Sequence, residues 1–296
     1  MSLGDPHIDC KSLRTVTGRT ADWDALLRRC LCFAKGFGIG LIALWGVVHS
    51  PHLSAEEILH PRTDRIKPPI MLWAWERSED LTFIDTHRVG VAFLARTVYI
   101  RDGKVYVRPR LQPLRVPENT YVEAVVRIET DRIAKRLSPD DYSKLLKVVA
   151  DATNMPDVSG LQIDYDAVRS ERPFYAELIQ DMRHQLPDSV SLSITALASW
   201  CTYDCWFSGL PLDDAVPLLF RMGPNQGQIR DYLERGKDFQ PMCRRSIGIA
   251  TDEICPRLPP VRRIYVFNPK SWARDDFIKT MKEVEKCSQR SGNPSF

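Results

Sequence analysis

Between residues 70 and 267 the chain repeats one unit eight times: a short apolar, β-favouring run followed by polar or helical material. The runs are 70–75, 89–95, 121–128, 160–165, 190–196, 215–220, 245–250 and 263–267. Near-continuous apolar runs, in place of strict alternation, mark strands covered on both faces, as in a parallel sheet flanked by helices. Helical spacing appears between them. Residues 139–153 place Tyr142, Leu145, Leu146 and Val149 on one stripe behind Ser138 and Pro139. Residues 171–185 do so with Phe174, Leu178, Ile179 and Met182, and 271–288 with Trp272, Phe277, Ile278, Met281 and Val284. Eight strands with helices between them predict an α/β fold, a (β/α)8 barrel of the TIM type, over residues 70–296. Asp102 and Gly103, between 97–100 and 105–108, predict a hairpin inserted after the second strand. The proline-broken link 252–262 predicts no helix. An open doubly wound sheet is the alternative architecture.

Ahead of this unit lies a different kind of sequence. Residues 36–48 are uncharged and mostly apolar, and Arg28, Arg29 and Lys35 precede them. A basic flank before an apolar run too short for an ordinary bilayer-spanning helix predicts an export signal or an uncleaved anchor in 1–50. A linker follows at 51–69, and the expected location is periplasmic or inner-membrane anchored. Setting aside the 6 basic and 4 acidic residues of 1–50 from totals of 41 and 38 leaves 35 and 34. A body so nearly neutral argues against nucleic acid as a partner and suits an uncharged ligand such as a carbohydrate. No GxxxxGK[ST] or GxGxxG is present, so neither common nucleotide fingerprint is met.

In a barrel of this kind chemistry gathers at the C-terminal strand ends. Those ends carry Glu76, Arg127, Glu129, Asp164, Asp166, Thr195, Arg221, Glu253 and Asn268. Alternation puts Asp164 and Asp166 on the same side of the fourth strand, facing inward. Two carboxyls so close do not both ionise freely, and a carboxyl that retains its proton is what glycosidic cleavage needs to protonate the leaving oxygen. Asp166 is the expected acid and Asp164 its modulator; Glu76, Glu129 and Glu253 are candidates for the second carboxylate. A helix cap, or an ion pair with Arg169 or Arg127, is the structural explanation of the same residues. Arg221, ending an apolar strand, is expected to hold Asp164 or Glu129. Trp75, Tyr165 and Trp200 are expected at the mouth, where flat aromatic faces stack on sugars, and Trp73 in the core.

The stretches GLQIDYDA, FYAELIQDMRHQLP, LSITALASW and LLFRMG, with IMLWAWER near residue 70 and LQPLRVP after the hairpin, resemble a bacterial family of unknown function. That family is similar to the glycosidase-type, chitinase-like barrels. In those a D-x-D-x-E ends the fourth strand and its Glu is the acid. The same register here reads Gln162, Asp164, Asp166, with Gln162 in place of the first Asp and the shorter Asp166 in place of Glu. The resemblance brings no activity of its own.

Of the cysteines beyond residue 50, Cys201 and Cys205 are expected to bridge in an oxidising compartment, while the seventh strand, extended between Cys243 and Cys255, would hold that second pair too far apart. The histidines lie far from these cysteines, so no metal and no cofactor are expected. Three functions compete: a glycoside hydrolase, a glycan-binding barrel without catalysis, and an envelope scaffold.

Overall fold

Strand alternation sorts each run into two sets of side chains. In β1 (Ile70–Ala74) Ile70, Leu72 and Ala74 enter a large core that also holds the helices' apolar faces, while Met71 and Trp73 enter a second, smaller core. Both faces are buried, which is why the run is apolar at every position. The computed structural model describes residues 66–132, 136–253, 258 and 263–290; the expected export segment, with its apolar run, lies outside them.

Seven further strands follow: β2 (Val89–Arg101), β3 (Val122–Thr130), β4 (Val158–Asp164), β5 (Ser191–Leu197), β6 (Asp214–Leu218), β7 (Ser246–Ala250) and β8 (Arg263–Phe267). Each lies parallel to the next. β1 pairs with β8 from Ile70↔Ile264 and with β2 from Ile70↔Val89, so the sheet closes on itself. Closure replaces the open doubly wound alternative with an eight-stranded parallel barrel. The second core of Met71, Trp73, Ala92, Leu94, Val125, Val216 and Tyr265 is its filled interior. Gly248 sits where it does because of Trp73: a Cβ there would lie 2.7 Å from the indole Cη2.

The helices are α1 (Pro139–Ala150), α2 (Arg172–Gln185), α3 (Gln226–Glu234) and α4 (Arg274–Arg290). α1 starts where its capping chemistry demands, with the Ser138 hydroxyl accepting from Asp141 N–H at 3.1 Å and Pro139 in the first turn. The link between β5 and β6 holds a π turn, Trp200–Asp204, followed by tight turns over 205–210. β2 does not stop at residue 95. It runs on to Arg101 and pairs antiparallel with Lys104–Pro109 through Asp102 and Gly103, both at positive φ. The hairpin is a prolongation of the barrel strand, bent by a register shift between Leu94 and Arg96 against β3.

The N-terminal end of the barrel interior is polar and sealed. Glu123 is fully buried, takes Lys67 Nζ at 2.9 Å, and accepts hydrogen bonds from Ser193 Oγ at 3.0 Å and Tyr265 OH at 2.7 Å. Gln162 lies above, accepting from Trp73 Nε1 at 2.8 Å and donating to Ser193 Oγ at 3.3 Å. A side-chain amide can do both at once; a carboxylate accepts only.

Candidate functional site at the C-terminal mouth

β3 and β4 end side by side, with Arg127 opposite Asp164 in the ladder. Arg127 and Glu129 project from β3, and Asp164 and Asp166 from β4 and the residues just past it. Together with Ile128, Thr130, Arg132 and Tyr165 they line a cavity of about 230 Å³. β5 contributes Thr195, whose Oγ1 donates to Asp164 Oδ1 at 2.7 Å. Arg127 Nε donates to Glu129 Oε1 at 2.9 Å, while its Nη1 stands 3.6 Å from Asp164 Oδ2.

The two aspartates differ in what surrounds them. Asp164 is 9% exposed and Asp166 is exposed. Burial pushes the Asp164 carboxyl above the usual carboxylate range, and the charges of Asp166 and Glu129 push the same way. The Thr195 hydrogen bond and the Arg127 cation pull it down without cancelling the shift. Asp164 is thus a carboxyl that favours holding its proton, and the solvent-facing member of the pair is Asp166.

The interior continues toward the mouth in apolar residues. Trp75, Leu218, Phe220 and Phe267, all half-buried, pack against the barrel core; Phe220 and Phe267 stack with ring centroids 5.6 Å apart, and Trp75 meets Phe267 edge-on at 6.2 Å. β8 and the residues just past β1 and β6 supply these rings, β3 and β4 supply the charged groups, and β5 supplies the Thr195 hydroxyl. Phe220 and Phe267 were not singled out by sequence reasoning. Their signal was register: Phe267 lies two residues beyond inward-facing Tyr265, and Phe220 two beyond Leu218.

Other expected site residues fall elsewhere. Tyr165 is 3% exposed and packs against Phe174 and Tyr175, because alternation turns it outward under α2 when Asp164 turns inward. Trp200 is 2% exposed among Trp206 and Phe207, since the chain folds into the π turn directly after β5. Tyr165 nonetheless lines the cavity beside the two aspartates, whereas Trp200 does not. Arg221 holds neither Asp164 nor Glu129. It pairs with Asp252 at 2.8 Å, its guanidinium lies over the Phe220 and Phe267 rings, and its N–H donates to Glu253. Glu76 pairs with Arg108 of the hairpin arm. Asn268 is buried and accepts from Thr251 Oγ1 at 3.0 Å, tying the ends of β7 and β8. Of the three candidate second carboxylates, Glu129 is the one lining the cavity with both aspartates.

The cysteine pairing also differs from expectation. Cys201 bonds to Cys243, with Cα atoms 5.9 Å apart, and so fastens the π turn to the segment before β7; neither Cys201–Cys205 nor Cys243–Cys255 forms. Cys201 and Cys205 begin and follow one tight turn, and the buried Cys201 side chain faces the neighbouring segment. Cys287 is disulfide-bonded as well. Among the described residues no group of three or more His, Cys, Asp or Glu is arranged to hold a metal, and no helix is long and apolar enough to cross a membrane.

No curated protein matches the chain. Residues 120–212, the stretch that carries Arg127, Glu129, Asp164, Asp166 and Thr195 together, match the family described as Domain of unknown function (DUF3142).

Proposed function

We propose that this chain is a glycosidase-like barrel of the TIM type that hydrolyses glycosidic bonds of a polysaccharide by carboxylate acid catalysis. The observation that carries the reading is the unequal pair at the mouth: a buried carboxyl, Asp164, that favours its proton, beside an exposed one, Asp166, lining the same cavity. Burial lets Asp164 retain its proton at a pH where an isolated aspartate has lost it. In this reading Asp166, the exposed member, protonates the glycosidic oxygen, and the buried Asp164 is its modulator. The bond from the anomeric carbon to that oxygen breaks, a water adds its oxygen to the sugar, and the water's remaining proton restores the pair. The aromatic side of the mouth supplies flat apolar surface of the kind sugar rings cover.

Export fits the same reading. Disulfides at Cys201–Cys243 and Cys287 belong in an oxidising compartment such as the periplasm, and the basic flank and apolar run of 1–50 are the means of reaching it, by a cleaved signal or a retained anchor.

The test is turnover and binding of a panel of polysaccharides by the full chain and by Asp166→Asn. The expected result is release of new reducing ends by the wild type and at least about a hundredfold less by the variant, which still binds. If both bind equally and neither cuts, the barrel is a glycan reader and hydrolysis is wrong; if neither binds, the carbohydrate reading itself fails.

A further inference from the structure

Arg127 has two carboxylates within reach and serves them unequally. Its Nε makes a hydrogen bond of 2.9 Å to Glu129, its neighbour but one on β3, whereas its Nη1 stands 3.6 Å from Asp164 on β4, beyond hydrogen-bonding distance. The first contact is built into one strand, since residues two apart share a face. The second crosses between strands. A guanidinium released from Glu129 is free to close on Asp164 with two parallel N–H donors, the arrangement that holds a carboxylate ionised most firmly.

We infer that Glu129 is a positioning residue for the mouth: by engaging Arg127 along β3 it withholds the guanidinium from Asp164 and so leaves Asp164 free to carry a proton. This rests on the proposed function only for its purpose; the geometry stands without it. The groups that face Asp164 are few. β3 offers Arg127 and Glu129, the end of β4 offers Asp166, β5 offers Thr195, and α2 offers Tyr175, whose hydroxyl donates to Ile163 O at 3.3 Å. Glu129 acts on Asp164 in two ways, by its own charge and through Arg127, and both favour the proton. Loss of Glu129 therefore moves Asp164 in one direction only, toward ionisation at lower pH.

The experiment is a carboxyl ¹³C titration of the full chain labelled at aspartate, with the Asp164 signal assigned by its disappearance in Asp164→Asn. Glu129→Gln should lower the Asp164 midpoint by about one pH unit, the lower end of what an opposing charge at this range contributes. Arg127→Gln should raise it. In the Arg127→Gln background the further change Glu129→Gln should move the midpoint by less than half as much as in the wild type, because the route through the guanidinium is gone. An equal shift in both backgrounds shows Glu129 acting by its own charge alone and overturns the inference, as does an unchanged or raised midpoint in Glu129→Gln. The Glu129 side chain is 42% exposed, so its replacement leaves the core packing untouched, and Glu129→Asp gives a graded second variant that retracts the carboxylate by one methylene. None of these readouts needs turnover. A chain that titrates as described yet cuts no glycan keeps this inference and loses the hydrolase.

Discussion

Asp164 is the residue at which stability and proposed chemistry pull apart. Burial disfavours its charged form, so its carboxyl titrates above the unfolded value of 3.8. The native state then binds that proton more tightly than the unfolded chain does, and Asp164 destabilises the fold at pH values above its native midpoint. As pH falls through that midpoint the penalty disappears, and below 3.8 the carboxyl is protonated in both states. Asp164→Asn keeps an oxygen to accept from Thr195 and removes the charge. It should melt at a higher temperature than the wild type at neutral pH, with the gap closing as the pH approaches 3.8, measured by calorimetry across that range. A variant less stable than the wild type at neutral pH would show that the Thr195 and Arg127 contacts outweigh burial. That Asp164 and Asp166 share a face was readable from alternation alone. Which of them is buried was not, because that depends on how β3 and β5 end beside them.

Strands were the most readable elements, for a reason particular to parallel barrels: both faces are buried, so each strand is an apolar run bounded by polar links. α1, α2 and α4 were readable from their stripes and, for α1, from Ser138 and Pro139. α3 was not. Gln226–Glu234 buries only Ile229 and Leu233 and carries Gly227 and four charged or amide residues besides Gln226, too little periodicity to stand out. The hairpin around Asp102 and Gly103 was readable, but that its first arm continues the barrel strand was not, because nothing in 89–101 marks the point where the strand leaves the barrel wall. The disulfide was misread because spacing along the chain says nothing about which segments the fold brings together. Cys201–Cys243 spans 42 residues, and in the chain-entropy account closing a loop of that length contributes about 4 kcal/mol. It replaces a helix as the fastening between the β5–β6 link and the entrance to β7. Cys243→Ser should lower the denaturation midpoint accordingly, most of all under conditions where wild-type disulfides stay intact. An effect below about 1 kcal/mol would mean that packing of Trp200, Trp206 and Phe207 holds the turn without it.

At the scale of the molecule the two ends of the barrel are built for different work. The N-terminal end buries Glu123 with Lys67, Ser193 and Tyr265 around it, a closed set of partners. The C-terminal end has an open cavity, an unequal carboxyl pair, a divided guanidinium and half-buried rings. The fold class could be read from the sequence, as could the grouping of Arg127, Glu129, Asp164 and Asp166 at one end. The aim of Trp200 and Arg221 could not, since each sits past a strand end where alternation gives way to loop geometry. The proposal that Asp166 carries glycan chemistry is tested most directly by a crystal structure of Asp166→Asn with a bound oligosaccharide substrate. It predicts a glycosidic oxygen about 2.6–3.2 Å from the residue 166 side chain, with a sugar ring laid toward Trp75, Phe220 and Phe267. A substrate seated elsewhere on the barrel, or one whose glycosidic oxygens all lie out of reach of residue 166, would contradict it.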